Sequence, residues 1–339
     1  LTLPVGERFM RKIIIIVLLV MAVGSGFVLY PQREQIHSLG DAITVLKTSL
    51  ELDPTEAPSD IIRSSQRSAG GRFRVASFDL GVLDGSKLQD ERAMSVIGKI
   101  IREFDIVALQ GIKSNQPGTM VSLMDWINLD DERYGFVISH QVGRAHSKEQ
   151  YAYVYDRDRI ELDRSQSYVI NDPDDLLSKE PFVVWCRVKG PEPEQAFTFS
   201  LVNVHTELEE LQYELSWLDD VFRRVRDDGR GEDDVIMLGN FNASDRSLGE
   251  LKHVPGMHAV IHEMATNTQG TGQFDNILFS LPATAEYSGR GGVYDFYNRF
   301  DMTMDEALRI SNHLPVWAEF NPIEGGADGV VLSASRDPL

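Results

Sequence analysis

The 339-residue chain has a single cysteine, Cys186, so no internal disulfide is available to it. Its neighbours Val183, Val184 and Trp185 read as a buried strand, which leaves the redox compartment open. Positive charge is scarce as well: 33 Lys and Arg against 52 Asp and Glu leave a formal net charge of −19. That balance excludes an extended basic face, so a polyanion would have to be met by a local cationic cluster. No internal repeat is visible, and only one long apolar run occurs. What is present is sufficient for a proper core, with 42% apolar residues in a chain long enough for one large domain or two ordinary ones.

The one long run is Ile13 to Tyr30, preceded by Arg11 and Lys12. Its length lies between that of a signal-peptide core and that of a spanning helix, and both readings export the rest of the chain. Met10-Arg11-Lys12 has the form of a secretory start, and Ala22-Val23-Gly24 offers small residues for cleavage. The run nevertheless continues through Phe27, Val28 and Leu29, so an uncleaved anchor is expected. Residues 1–12 then form the cytoplasmic basic flank and the remainder lies outside the membrane. Secretion after cleavage is the alternative.

Beyond the run, Ile36, Leu39, Ile43, Leu46 and Leu50 make one helical seam about two heptads long. It suits weak self-association, or equally a short helix lying on a domain or a membrane. Pro54, Pro58, a serine cluster, Gly70 and Gly71 complete a linker over 31–70, and 323–339 reads as a loose tail. Between them, strands are expected at 73–78, 106–110, 135–139, 151–155, 182–188, 197–204, 235–238, 276–279 and 316–320, with helices at 94–104 and 207–226. Strands joined without helices, as from Phe182 to Val204, indicate hairpins, so a mixed, mainly antiparallel two-sheet sandwich over 71–322 is expected.

Five short motifs occur in order within that region: Ser77-Phe78-Asp79, Leu109-Gln110-Gly111, Val202-Asn203-Val204-His205, Leu238-Gly239-Asn240-Phe241-Asn242 and Ser311-Asn312-His313-Leu314-Pro315-Val316. Together they resemble the endonuclease/exonuclease/phosphatase superfamily, whose members usually read S-F/Y-N, L-Q-E, x-x-H, G-D-F-N and S-D-H-x-P-V. Gly143 to Tyr151 narrows the resemblance to deoxyribonuclease I, as does Ser178-Lys179-Glu180-Pro181. The resemblance implies a four-layered α/β/β/α sandwich with its site at the strand ends. Any of these residues alone has a plainer reading, a hydrogen-bonded histidine after a strand or a glycine hinge, and only the ordered set argues for chemistry.

Phosphodiester hydrolysis needs an activated water, a proton donor for the leaving oxygen and positive charge against the phosphorane. By resemblance, His205 is oriented by Glu149 and His313 by Asp275, with Asn242 positioning water or a phosphate oxygen. Arg144 and Lys179 fall at phosphate-contacting positions, lysine keeping the charge but losing the bidentate fork. Magnesium or manganese is the implied cofactor, yet the acids that would hold it are replaced by Gly111, Asn240 and Asn312. Asp79 runs the other way, an acid where asparagine is usual, and with Asn240 it is the remaining candidate for a weak metal site.

Three functions from different classes are compatible with these residues. The first is a membrane-anchored nuclease-family protein with impaired metal-dependent hydrolysis and retained phosphate or nucleic-acid binding. The second is an active metal-dependent nuclease or phosphodiesterase with a rearranged site. The third is a surface interaction module without catalysis.

Overall fold

The structure is a computed structural model that describes residues 71–113, 118–129, 131–144 and 148–325. The apolar run at 13–30, its basic flank, the 36–50 seam and the rest of the linker to residue 70 lie outside the described residues, as does the tail beyond 325. Among the described residues no helix is long and apolar enough to cross a membrane.

Twelve described strands form two six-stranded sheets. In chain order they are β1 (Phe73–Leu83), β2 (Ile106–Ile112), β3 (Tyr134–Ile138), β4 (Gln150–Asp156), β5 (Ile160–Val169) and β6 (Phe182–Val188), then β7 (Thr198–His205), β8 (Val235–Asn240), β9 (Met257–Ala259), β10 (Asp275–Ser280), β11 (Tyr287–Val293) and β12 (Val316–Phe320). One sheet runs β11-β12-β1-β2-β4-β3 and the other β5-β6-β7-β8-β10-β9. Phe73, Tyr153, Phe199, Leu238 and Phe320 belong to the apolar layer between the sheets. The outer face of the first sheet packs on α1 (Gly85–Leu88), α2 (Glu91–Ile101) and α3 (Thr119–Ile127), and that of the second on α4 (Leu211–Leu215) and α5 (Leu218–Arg226). Two short helices, α6 (Phe296–Arg299) and α7 (Met304–Ile310), close the first outer layer. This is the expected α/β/β/α sandwich.

Helix α2 illustrates the local logic. Asp90 caps it by accepting from the Ala93 amide, and Ala93, Met94, Ile97, Ile100 and Ile101 recur at the three-and-four spacing that buries one face. Most neighbouring strands are antiparallel, but β1 pairs in parallel with β2 and β7 with β8. Parallel neighbours need a crossover, and α1–α2 and α4–α5 supply the two. The C-terminal ends of both parallel pairs carry the motif residues.

The structure departs from expectation in three places. Strands β5, β9 and β11 carry weak patterns: β5 is half exposed along Asp163 to Val169, β9 has three residues, and β11 holds Gly289, Gly291 and Gly292. The expected helix over 207–226 is broken into a 3₁₀ turn, α4 and α5, because the buried Glu214 carboxylate accepts from the amides of Ser178 and Glu207, at 2.6 Å each, and ties the chain there. Finally, Ile323 bridges to Ala196 and the Phe197 amide donates to the Pro322 carbonyl, so pairing continues past 322.

Candidate active site

Strand register assembles the centre. Across β7, β8 and β10, His205 lies beside Asn240 and Asn240 beside Asp275, so three neighbouring strands place these side chains in a row. In the facing sheet, Asp79 of β1 pairs with Gln110 of β2. Gly239 makes the first alignment possible: its φ is +151°, and a Cβ there would fall on the Val204 carbonyl oxygen. A buried polar bridge joins the sheets beneath the centre, with the Gln110 amide donating to Asn203 Oδ1 at 2.6 Å and to Ser77 Oγ at 3.0 Å. The motif residues Ser77, Gln110 and Asn203 therefore hold the two sheets in register.

Both histidines have carboxylate partners. His205 Nδ1 lies 2.8 Å from Glu149 Oε1, and His313 Nδ1 lies 2.8 Å from Asp275 Oδ2. Such contacts fix each ring so that Nε2 faces the centre. Asp275 is braced in turn by the Thr266 hydroxyl at 2.8 Å, a residue with no motif of its own in the sequence. Burial works to neutralise both rings, but for His205 the charges of Glu149 and Asp79 outweigh it and the pKa is raised. For His313, Asp275 and Asp79 likewise overcome burial and hold it up to about 9.

The second pair carries a stability prediction. The folded pKa of His313 lies above its ordinary 6.5. Its protonated ring therefore contributes fully below about pH 6.5, and the contribution is lost as pH rises toward about 9. Exchanging the pair together, His313→Asn with Asp275→Asn, leaves no orphaned carboxyl titrating in the same window. Urea denaturation should show the gap between parent and variant shrinking by about 3 kcal/mol between about pH 6 and pH 9.5. A constant gap would mean that His313 is neutral in the fold.

Between the rings stands Asp79. Its Oδ2 lies 3.7 Å from His205 Nε2 and 3.9 Å from His313 Nε2, and it accepts from Asn240 Nδ2 at 2.8 Å. Its Oδ1 accepts from the Gly81 amide at 2.8 Å. Burial by itself would raise this acid, but both histidines and the two hydrogen bonds pull its pKa below the usual value. Asp79 is thus an ionised carboxylate held where two imidazole Nε2 atoms converge.

The donor set does not suit magnesium or manganese. Hard cations take anionic oxygens, yet of the three carboxylates here Glu149 and Asp275 are each engaged by a histidine and Asp79 accepts from Asn240 and the Gly81 amide. Asn240 turns its amide nitrogen to Asp79 and its oxygen to the Asn242 amide, at 2.9 Å. Asn242, at φ +48°, donates its Nδ2 to the Thr206 carbonyl at 2.6 Å. Asn312 is exposed and lies beside Gly81 at the rim of a cleft of about 340 Å³. Gly111 sits at φ +79°, where a Cβ would meet the Gly81 carbonyl oxygen at 2.5 Å and Asp79 Oδ1 at 3.0 Å. The backbone of β1 occupies the space that a side chain at 111 would need.

Lys87 was not foreseen. Its ammonium reaches Leu80 O at 2.5 Å and Ile310 O at 2.8 Å, tying α1 to the ends of β1 and α7. Burial lowers its pKa to about 8, against the opposing charges of Asp79 and Asp84. Nothing in the local sequence marks this lysine.

Arg144 and Lys179, the phosphate-contact candidates, are both engaged by acids in the structure. Arg144 donates to both oxygens of Asp175, to the Asp175 carbonyl and to Glu210, the last at 2.5 Å. Lys179 is ion-paired with Glu207 and its side chain is 1% exposed, which removes it from any surface a backbone phosphate could reach. Acids remote in sequence neutralise both.

No family model matches the chain. Curated relatives do: Deoxyribonuclease-1-like 1 of Cricetulus griseus is 32% identical over 268 residues, covering 75% of this chain and 86% of that protein. The chain belongs to the deoxyribonuclease I-like family. Deoxyribonuclease-1-like 1 of Rattus norvegicus is 30% identical over 272 residues, 77% of this chain and 85% of the relative. Deoxyribonuclease gamma of Mus musculus is 31% identical over 265 residues, 72% and 83% respectively. Among solved structures, truncated Caenorhabditis elegans TDP2 superposes with a TM-score of 0.50 at 15% identity, covering 74% of this chain and 97% of that one, which supports the fold alone.

Proposed function

We propose that this protein is a deoxyribonuclease I-like family member with impaired metal-dependent phosphodiester hydrolysis and retained phosphate or nucleic-acid recognition at its histidine centre. The observation that carries the reading is the ionised Asp79 lodged between His205 and His313, at the place where a phosphate oxygen would meet both rings. Glu149 and Asp275 favour the protonated rings, and a phosphate oxygen would take the place Asp79 now holds between them. In this reading His205 and His313 bind phosphate, Asn242 lines its approach, and Asp79 competes with it. Binding is consequently weak and salt-sensitive, since few cations are involved and one internal acid opposes them. Duplex DNA is the first polyanion to test, because the relatives are named as deoxyribonucleases.

Supercoiled plasmid incubated with the protein in magnesium or manganese should remain intact under conditions in which an active relative nicks it completely. Low-salt retention of the same DNA should decrease when His205 and His313 are both changed to Ala. Metal-dependent nicking by the parent would overturn the reading in favour of an active enzyme with a rearranged site. Absence of DNA retention at low salt would remove the recognition role.

The membrane anchor is part of the proposal and rests on Ile13 to Tyr30 behind Arg11 and Lys12, with the domain on the extracytoplasmic side. Protease added to cells with an intact membrane should degrade the domain; full protection would refute that orientation.

A further inference from the structure

One arginine beside the histidine centre is saturated by the protein's own acids. Val142 bridges to Glu149, the partner of His205, so Arg144 stands in the same short segment that orients that ring. Its Nε donates to both carboxylate oxygens of Asp175, at 3.1 and 3.2 Å, and its Nη2 donates to the Asp175 carbonyl at 2.6 Å. Its Nη1 donates to Glu210 Oε1 at 2.5 Å, and Glu210 Oε2 accepts from the Ser178 hydroxyl at 3.3 Å. All three guanidinium nitrogens are thereby turned to oxygen atoms of this chain.

Those partners supply what a phosphate would. A guanidinium presents a planar fork that carboxylate and phosphate oxygens fill in the same way. Glu210 ends the 3₁₀ turn that follows His205, and Asp175 comes from the segment between β5 and β6, so two separate stretches of chain deliver an acid to Arg144. Asp175 is held at φ +52°, a left-handed backbone that aspartate and asparagine tolerate. The flank is negative around them: Lys179 is paired with Glu207, and the Glu180 carboxylate accepts from the Gly143 amide at 3.3 Å. Lys148 is exposed next to Glu149, yet the acids named here still outnumber Arg144, Lys148 and Lys179.

We propose that Asp175 and Glu210 are specificity-determining residues that stand in for phosphate on Arg144, so that the site favours a lone phosphate group over a continuous phosphodiester backbone. This preference presupposes that the histidine centre recognises phosphate, and it names the form of phosphate admitted. A lone phosphate needs only His205 and His313. A duplex lying across the centre would extend its next phosphates over the flank, where Arg144 is already occupied and the surrounding carboxylates repel them. Each backbone phosphate met by a cation adds about 0.9 to the salt slope of binding, and Asp175 with Glu210 withholds that contribution.

Binding of a short labelled DNA duplex by the full-length protein in detergent, read by fluorescence anisotropy at several salt concentrations, makes the test. Asp175→Asn with Glu210→Gln should tighten duplex binding about tenfold and steepen its salt slope by about one phosphate contact. Asp175 is exposed, the Glu210 side chain is 40% exposed, and asparagine keeps the left-handed backbone, so the fold is retained. Adding Arg144→Ala should remove the gain. Asp227→Asn with Glu192→Gln changes the net charge equally at exposed positions elsewhere and should leave duplex binding within about twofold of the parent. The response of the melting temperature to inorganic phosphate should be the same in the parent and in the Asp175 and Glu210 variant. An unchanged duplex affinity, a gain that survives Arg144→Ala or is matched by the remote pair, or an equal gain for inorganic phosphate would overturn the assignment. A gain that needs Arg144 but ignores His205→Ala with His313→Ala would instead remove the histidine centre from recognition, and the preference with it.

Discussion

The triple variant Gly111→Glu, Asn240→Asp, Asn312→Asp, which writes the usual acids back into the motifs, should fail to gain magnesium-dependent nicking and should melt about 10 °C or more below the parent. Position 111 is the reason. Its φ of +79° disfavours any side chain, and the Cβ would press on the Gly81 carbonyl and Asp79. Backbone strain and overpacking each cost about 1–3 kcal/mol, and for a domain of this size each kcal/mol moves the melting temperature by about 2–4 °C. Asn240→Asp adds a second penalty by replacing the amide that donates to Asp79 with a carboxylate facing it. Gly111→Ala alone should lose about 4 kcal/mol, whereas Gly85→Ala, with open space and an ordinary backbone, should stay within about 1 kcal/mol of the parent. A triple variant that melts with the parent and cuts DNA would show that only the acids had been lost.

Asp79→Ala should be the more instructive single change. The buried carboxylate faces two rings whose pKa values it helps to raise, and removing one member of such a set costs about 3–5 kcal/mol. His205 and His313 should become easier to deprotonate, because each loses a neighbouring negative charge. Inorganic phosphate should then recover part of the stability by entering the vacated position, about 2.7 kcal/mol at a concentration one hundred times its dissociation constant. The parent should respond far less, since its own acid holds the place. Thermal denaturation with increasing phosphate at fixed ionic strength makes the comparison; equal shifts in parent and variant would mean that phosphate binds elsewhere.

These expectations show where the residues speak for themselves and where only the fold does. His205, Glu149, Asp275 and His313 are legible because their motifs fall in order, and the sandwich follows from hairpin spacing and apolar runs. Gly111 is legible as a missing acid. What the letters do not carry is that β1 and β2 close over the gap, which depends on a bulge in their pairing between Asp79 and Leu83. Asp79 likewise reads as a spare metal ligand until Asn240 is seen to offer it nitrogen rather than oxygen.

Arg144 and Lys179 form ion pairs that their local sequence does not announce. Their local sequence resembles a phosphate contact, but the acids that engage them stand 31, 66 and 28 residues away. Lys87 carries no signal because its acceptors are backbone carbonyls, one of them 223 residues distant. Strand β11 escaped notice because glycines at an exposed edge lack the alternation that marks a half-buried strand.

The central claim is that the centre holds two carboxylate-paired imidazoles around an internal carboxylate, a donor set that does not suit a catalytic cation. Nitrogen-15 spectra of the imidazole rings at about pH 7, taken with and without manganese, test it most directly. Paramagnetic manganese broadens nuclei within several ångströms, so a metal at the centre would erase both rings' signals. The account predicts an imidazolium shift for His313 and no broadening of either ring by manganese; a neutral His313, or selective loss of both signals when manganese is added, would contradict it.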